Sequence, residues 1–143
     1  MGIVSRIKFK AGEDYELMLS KLATNSGEIA KKALGEGACI IADEIRKNLV
    51  GVLSDNATGQ LLDSFGISKV RDYEGVWKCS VGFDGYDDKG VANQLKARAL
   101  ESGTSTRRAH PFVRPAIRAK KAAAEQRMNE VIAEEIQKIG GKR

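Results

Sequence analysis

The sequence predicts an α+β fold: N-terminal helices, a small antiparallel sheet built on a β-hairpin, and a long C-terminal amphipathic helix. Three observations predict it. Apolar residues recur with a 3.6-residue period over residues 28–49 and again over residues 117–139. Between them, two short segments alternate apolar and polar positions across a Gly-containing turn. Helices grouped around a strand cluster, rather than alternating with strands, give an antiparallel α+β arrangement. At 143 residues the chain is expected to form one domain (1–143).

The elements follow in order. Residues 3–10 mix apolar and basic residues and suit a short edge strand. After Gly12, the spacing of Tyr15, Met18, Leu19 and Leu22 predicts a helix with one apolar face. Thr24-Asn25-Ser26-Gly27 breaks it, and Asn25 or Ser26 can cap a second helix over residues 28–49. The apolar set of that helix is Ile29, Ala33, Leu34, Ala38, Ile41, Ala42, Ile45 and Leu49. Gly35 and Gly37 each cost about 1 kcal/mol against Ala inside a helix, which predicts close approach by another backbone or a kink. Residues 51–59 read as a loop, with Thr58 capping a short turn.

Two strands are predicted next. Residues 64–70 place Phe65 and Ile67 on one face. Residues 76–83 place Trp77, Cys79, Val81 and Phe83 on one face, with Lys78 and Ser80 opposite. Residues 71–75, ending in Gly75, form the hairpin link. Residues 84–90 are a polar loop and residues 91–100 a short helix. The last helix, residues 117–139, presents Ile117, Ala124, Met128, Val131, Ile132, Ile136 and Ile139, and ends at Gly140-Gly141 in a basic tail.

Chemistry at a catalytic centre is poorly supported by these residues. The single histidine, His110, lies among arginines with no acidic group nearby in sequence to orient it. Ser102, Thr104 and Ser105 lack the strand-turn-helix context of a nucleophile elbow, and no phosphate-binding Gly-rich loop is present. Asp84, Asp87 and Asp88 only superficially resemble a calcium loop, because the terminal bidentate Glu and the flanking helix are missing. Cys39 and Cys79 have no partners at metal-ligand spacing, and both read as buried thiols of a reducing compartment. No metal and no cofactor are expected. No apolar run is long enough to span a membrane, and the N-terminus has no secretory h-region, so the chain reads as one made and kept inside a cell.

Charge is the informative feature. The chain carries a net +5, but eight cations and the single acid Glu101 give +7 over the 26 residues 96–121. The rest of the chain is therefore net negative. A focused basic patch calls for an anionic partner, either nucleic acid or an acidic protein surface. The densest part, residues 100–119, holds four arginines, the histidine and both prolines. Pro111 and Pro115 fix the backbone on either side of Phe112-Val113-Arg114, and Pro115 suits the first turn of a helix. Phe112 reads as the anchor beneath this turn, buried in the core. Arg107, Arg108, His110, Arg114, Arg118, Lys120 and Lys121 are the candidate contact residues, and Gly103, Thr104, Pro111, Phe112 and Pro115 the residues that shape the turn. Helix-turn-helix spacing, zinc-finger pairs and aromatic-interleaved strands are all absent, so base readout is not expected.

Glu101-Ser102-Gly103-Thr104 followed by Pro111-Phe112-Val113-Arg114-Pro115-Ala116 resembles the E-x-G-T … P-F-[LIV]-R-P-A signature of neck and tail-completion proteins of long-tailed bacteriophages. Thr58-Gly59-Gln60-Leu61 with Ser64 is similar to that family's T-G-x-L-x-x-S segment. The likeness spans nearly the whole chain in order and spacing. It differs at residues 92–100, which look helical and basic where many relatives read as a strand.

The resemblance implies a structural, non-enzymatic protein of the virion's head–tail neck, assembled in the host cytoplasm. It implies a homo-oligomeric ring, typically six-fold, between a portal-side adaptor or head-completion protein and a tail terminator or tail-tube protein. DNA would pass through the ring's lumen. Within such a ring the basic turn is expected to face a neighbour, with Glu13, Asp14, Glu16, Glu134 and Glu135 as acidic counterparts, or else to line the lumen through which DNA passes. The basic patch by itself would equally permit a small nucleic-acid-binding protein.

Overall fold

The computed structural model describes residues 5–9, 15–22, 24–52 and 60–140. It is an α+β fold in which a small antiparallel sheet packs one face against two long helices. The strands are β1 (Ser5–Phe9), β2 (Tyr15–Ser20), β3 (Phe65–Ile67), β4 (Arg71–Tyr73) and β5 (Val76–Phe83). The helices are α1 (Gly27–Val52), the single turn α2 (Gln60–Asp63), α3 (Asn93–Ser102) and α4 (Val113–Gly140). The order across the sheet is β1-β2-β5-β3, with β4 also paired to β5. β1 is the edge strand that its sequence suggests.

The helix expected over Tyr15–Leu22 is instead β2. Leu17 and Leu19 alternate into the core with no exposure, opposite Cys79 and Trp77 of β5, while Leu22 is almost fully exposed. Leu17 and Leu19 two apart satisfy a strand's period of two. The apparent helical spacing came from Met18 and Leu22, neither of which is in the core.

α1 behaves as its periodicity requires. All eight of its predicted apolar positions are buried. Ser26 caps it, its Oγ accepting from the Ile29 amide at 3.3 Å. Thr24, just before it, is pinned by the Trp77 indole, which donates to its carbonyl at 3.1 Å. Of the two interior glycines, only Gly37 meets a close neighbour. A Cβ there would lie 2.6 Å from Met128 Cγ, so Gly37 lets α1 and α4 approach. Gly35 has open space where a Cβ would point. α1 runs on through Gly51 and Val52; the remainder of the predicted loop, with Thr58 and Gly59, lies outside the described residues, as do Gly12, Glu13, Asp14 and the Gly141 tail.

The predicted hairpin link is shorter than its five residues suggest. Arg71–Tyr73 pairs with β5 as β4, which leaves a two-residue turn at Glu74-Gly75. Both turn residues have positive φ, 33° and 84°, the geometry that matches the twist of the flanking strands. β5 occupies the predicted residues, with Cys79 and Val81 buried and Trp77 and Phe83 packed against the core. α4 starts four residues earlier than its apolar period, at Val113, and continues to Gly140. Its Ala116, Ala124, Met128, Val131 and Ile132 are buried, but Ile136 and Ile139 are exposed.

The two cysteines separate. Cys79 is buried under α1, and burial, with a smaller contribution from Cys39, pushes its thiol up to about 12. Cys39 is exposed, contrary to expectation, because position 39 lies on the side of α1 opposite to its core stripe; the two thiols are not joined.

Candidate functional site

The basic turn is built around a carboxylate. Glu101, in the last turn of α3, is buried at 8% exposure. Its Oε1 accepts from the amides of Phe112 at 2.8 Å and Val113 at 2.7 Å, and its Oε2 from Arg114 at 3.2 Å. These amides open α4, and no residue of that helix can satisfy them from within. A carboxylate from another helix does so. The three donors offset the cost of burying the charge, and the positive end of the α4 dipole favours a negative group there.

The residues between Glu101 and α4 make that reach possible. Gly103 closes α3 by donating to Ala99 O at 2.8 Å, with φ 76° and ψ 175°. Its backbone is in a region open essentially only to glycine. A Cβ there would also lie 2.8 Å from Ala109 N and 3.0 Å from Arg107 O. Thr104 staples the turn: its amide donates to Arg107 O, and its Oγ1 accepts from the amides of Thr106 at 3.3 Å and Arg107 at 3.1 Å. The His110 amide returns to Leu100 O at 2.8 Å.

Phe112 then plunges into the core with no exposure. Its ring meets Phe83 edge-on, with centroids 5.9 Å apart. The Asn48 side chain donates to its carbonyl at 3.1 Å, tying the junction to α1. Pro115 is the third residue of α4, where a missing amide proton costs nothing. Pro111 is exposed just before Phe112 and fixes the approach to it.

This frame displays the cations. Arg107, Arg108, His110, Arg114, Arg118 and Lys121 are exposed, and Lys120 is half-buried. Arg114, Arg118 and Lys121, at i, i+4 and i+7, form one stripe on α4. Among the described residues, none of the six candidate Arg and Lys side chains makes an ion pair. The other half of α4 differs. Arg127 bridges Glu36 of α1 at 2.9 Å and reaches Glu130 and Glu134 of its own helix. Glu135 pairs with Lys32 of α1 and with Lys138. The hydrogen bond from Lys32, together with the Lys138 charge, holds the Glu135 carboxyl below its ordinary range against the opposing effect of desolvation. Glu134 and Glu135, expected to serve a neighbouring subunit, are thus engaged within the chain.

Two features escaped the sequence reading. Glu101 read as the lone acid of a basic run; its only signal was its place two residues before Gly103-Thr104. The second is an exposed patch made by Leu95 and Arg98 of α3 with Val91 just before the helix, and by exposed Tyr86 on the loop that bridges to Ala92. In the polar loop, Asp87 Oδ1 accepts from the amides of Lys89 and Val91, and its Oδ2 pairs with Lys96 at 3.1 Å. The bond from Val91 is the chief reason its carboxyl is held low. Asp87 therefore braces the start of α3. The described residues include no cluster of three or more metal-ligating side chains, and no helix among them is long and apolar enough to cross a membrane.

No protein-family model, no curated protein and no solved structure matches the chain.

Proposed function

We propose that this chain is a structural virion protein of the bacteriophage head–tail junction, a ring-forming tail-completion component joining the tail to the portal-side neck. The single observation that carries the reading is the Glu101–Gly103–Thr104–Phe112–Pro115 frame. The residues of the E-x-G-T and P-F-x-R-P-A segments meet at one point, where the first segment caps the helix that the second begins. That the two segments of the resemblance meet in one frame supports the reading, and a frame of that kind makes a rigid base for a contact surface.

Two surfaces on this base suit assembly. The patch of Leu95 on α3 and Val91 just before it, with Tyr86, offers apolar area for a neighbouring subunit or for the portal-side or tail-side ring. The cationic face of Arg107, Arg108, Arg114, Arg118, Lys120 and Lys121, with His110, offers charge to an anionic partner. A ring of identical subunits uses different patches on the two sides of each contact, which two unlike surfaces permit.

Electron microscopy of a lysate in which this gene alone is inactivated tests the reading. Full heads beside unattached tails are expected. Normally joined, infectious particles would overturn it and bring forward a free nucleic-acid-binding protein.

A further inference from the structure

We propose that the cationic face formed by Arg107, Arg108, Arg114, Arg118 and Lys121 binds the phosphate backbone of double-stranded DNA, without reading its sequence. The inference goes beyond the junction reading by assigning the face a ligand, and it does not require that a ring forms.

The first argument is energetic. Arg114 stands in the first turn of α4, where the helix dipole disfavours positive charge, and Arg118 follows one turn on. No acid among the described residues pairs with them, and Glu101 spends its carboxylate on backbone amides. Cations held against the local field with no internal partner have an external one as their evident use.

The second argument separates DNA from protein. Protein interfaces centre on buried apolar or aromatic anchors. The exposed large apolar residues of this chain all lie outside residues 101–135. Phe112, Val113, Met128, Val131 and Ile132 are buried, and Ile117 is partly so. The exposed side chains of residues 101–135 are alanine, proline and polar or charged groups, which suit contact with phosphates. Of the acids on α4, Glu130 and Glu134 are engaged by Arg127, and Glu135 by Lys32 and Lys138.

The third argument is shape. At 1.5 Å per residue the Arg114–Arg118–Lys121 stripe is about 10.5 Å long. One strand of duplex DNA presents about three phosphates over that distance. Three cations over that length match the charge density of one strand, and Arg107 and Arg108 add two more on the preceding turn. The face has no exposed Phe, Tyr or Trp on which unpaired bases would stack, which favours duplex over single strand. An affinity built only from such contacts is strongly salt-dependent and weak at physiological salt, as a surface past which DNA must slide requires.

The test is fluorescence anisotropy of a labelled 30-base-pair duplex with the purified full chain, across about 50–200 mM salt. With five contacts, the expected slope of log K against log salt is about −4.5, a loss of about 500-fold over that range. The variant Arg114→Gln/Arg118→Gln/Lys121→Gln is expected to flatten the slope by about 2.7, while Arg127→Gln leaves it unchanged. Circular dichroism of the triple variant checks that it folds, and Arg107→Gln/Arg108→Gln gives an independent loss of about 1.8 in slope if it does not. Absence of binding at 50 mM salt, a slope indifferent to both variants, or equal competition by polyglutamate would overturn the inference; the last would assign the face to an acidic protein. Joined particles lost on gene inactivation, without DNA binding, would leave the junction reading standing and sink this one. DNA binding by a protein whose loss leaves particles joined would do the reverse.

Discussion

Residues 113–121 of α4 carry four cations and no acid, whereas residues 122–140 carry four acids and two cations. Both halves belong to one continuous helix packed on α1 and the sheet. The second half balances its charge at home, through ion pairs with Glu36 and Lys32 of α1 and along its own face. The first half leaves its charge unbalanced and is fixed in place by a carboxylate that touches none of the cations. The second arrangement contributes to holding two helices together. In the first, the cationic side chains pair with no acid among the described residues and are displayed outward. The difference teaches that the two runs of charge, alike in the sequence, serve different ends: one is internal structure and the other is an offered surface.

The comparison breaks most easily at its anchor. Phe112→Ala removes a fully buried ring at the foot of the basic turn and is expected to cost about 3–5 kcal/mol, read by denaturant unfolding. Glu101→Ala strips the acceptor from three amides at the start of α4 and is expected to cost about 2–4 kcal/mol. Amide exchange should rise at Phe112, Val113 and Arg114 in that variant while the Arg127 half stays protected. Uniform loosening of both halves would show that Glu101 does not hold the basic half separately.

Smaller effects sharpen the contrast. Arg127→Gln is expected to lower the melting temperature at low salt, with the deficit shrinking as salt rises. Arg114→Gln is expected to leave it unchanged or raise it slightly, since a cation is removed from the positive end of a helix. The two halves should also part on acidification. The Glu135 carboxyl is held low in the folded chain, so its contribution is present above the unfolded value of about 4.3 and is lost as pH falls through the folded value. Thermal unfolding between about pH 6 and 3 should show that loss, and Lys32→Gln should reduce it. Replacing the Arg and Lys side chains of the first half, which pair with no carboxylate among the described residues, should leave the acid profile unaltered. Least in effect, one thiol, Cys39, should react with an aromatic disulfide reagent in the folded protein and two after unfolding, because burial keeps Cys79 protonated and covered.

How much was legible in the sequence follows from how local each determinant is. α1 and β5 were readable because their burial follows a strict period along a single segment. β2 was not: over six residues, Tyr15, Met18 and Leu19 imitate a helical face, and only pairing with β5 decides that Leu17 and Leu19 are the inward pair. Cys39 was misread because a free cysteine is usually buried, whereas its position falls on the side of α1 away from the core stripe. The residues of the basic turn were all visible, and the role of Phe112 as an anchor follows from its setting between two prolines. Glu101 was hidden because its partners are backbone amides eleven to thirteen residues away, which no side-chain pattern announces. The engagement of Glu134 and Glu135 was hidden likewise, since their cations include one on α1 about a hundred residues earlier.

The most direct measurement takes the double reversal Arg107→Glu/Arg108→Glu and asks two questions of it. Unfolding in denaturant reports the fold, and rescue of a gene-inactivated phage reports assembly. If the basic turn that leads into the cationic half of α4 is an offered surface, unfolding is unchanged and joined infectious particles are not recovered. Full recovery of infectious particles by that variant would contradict the account.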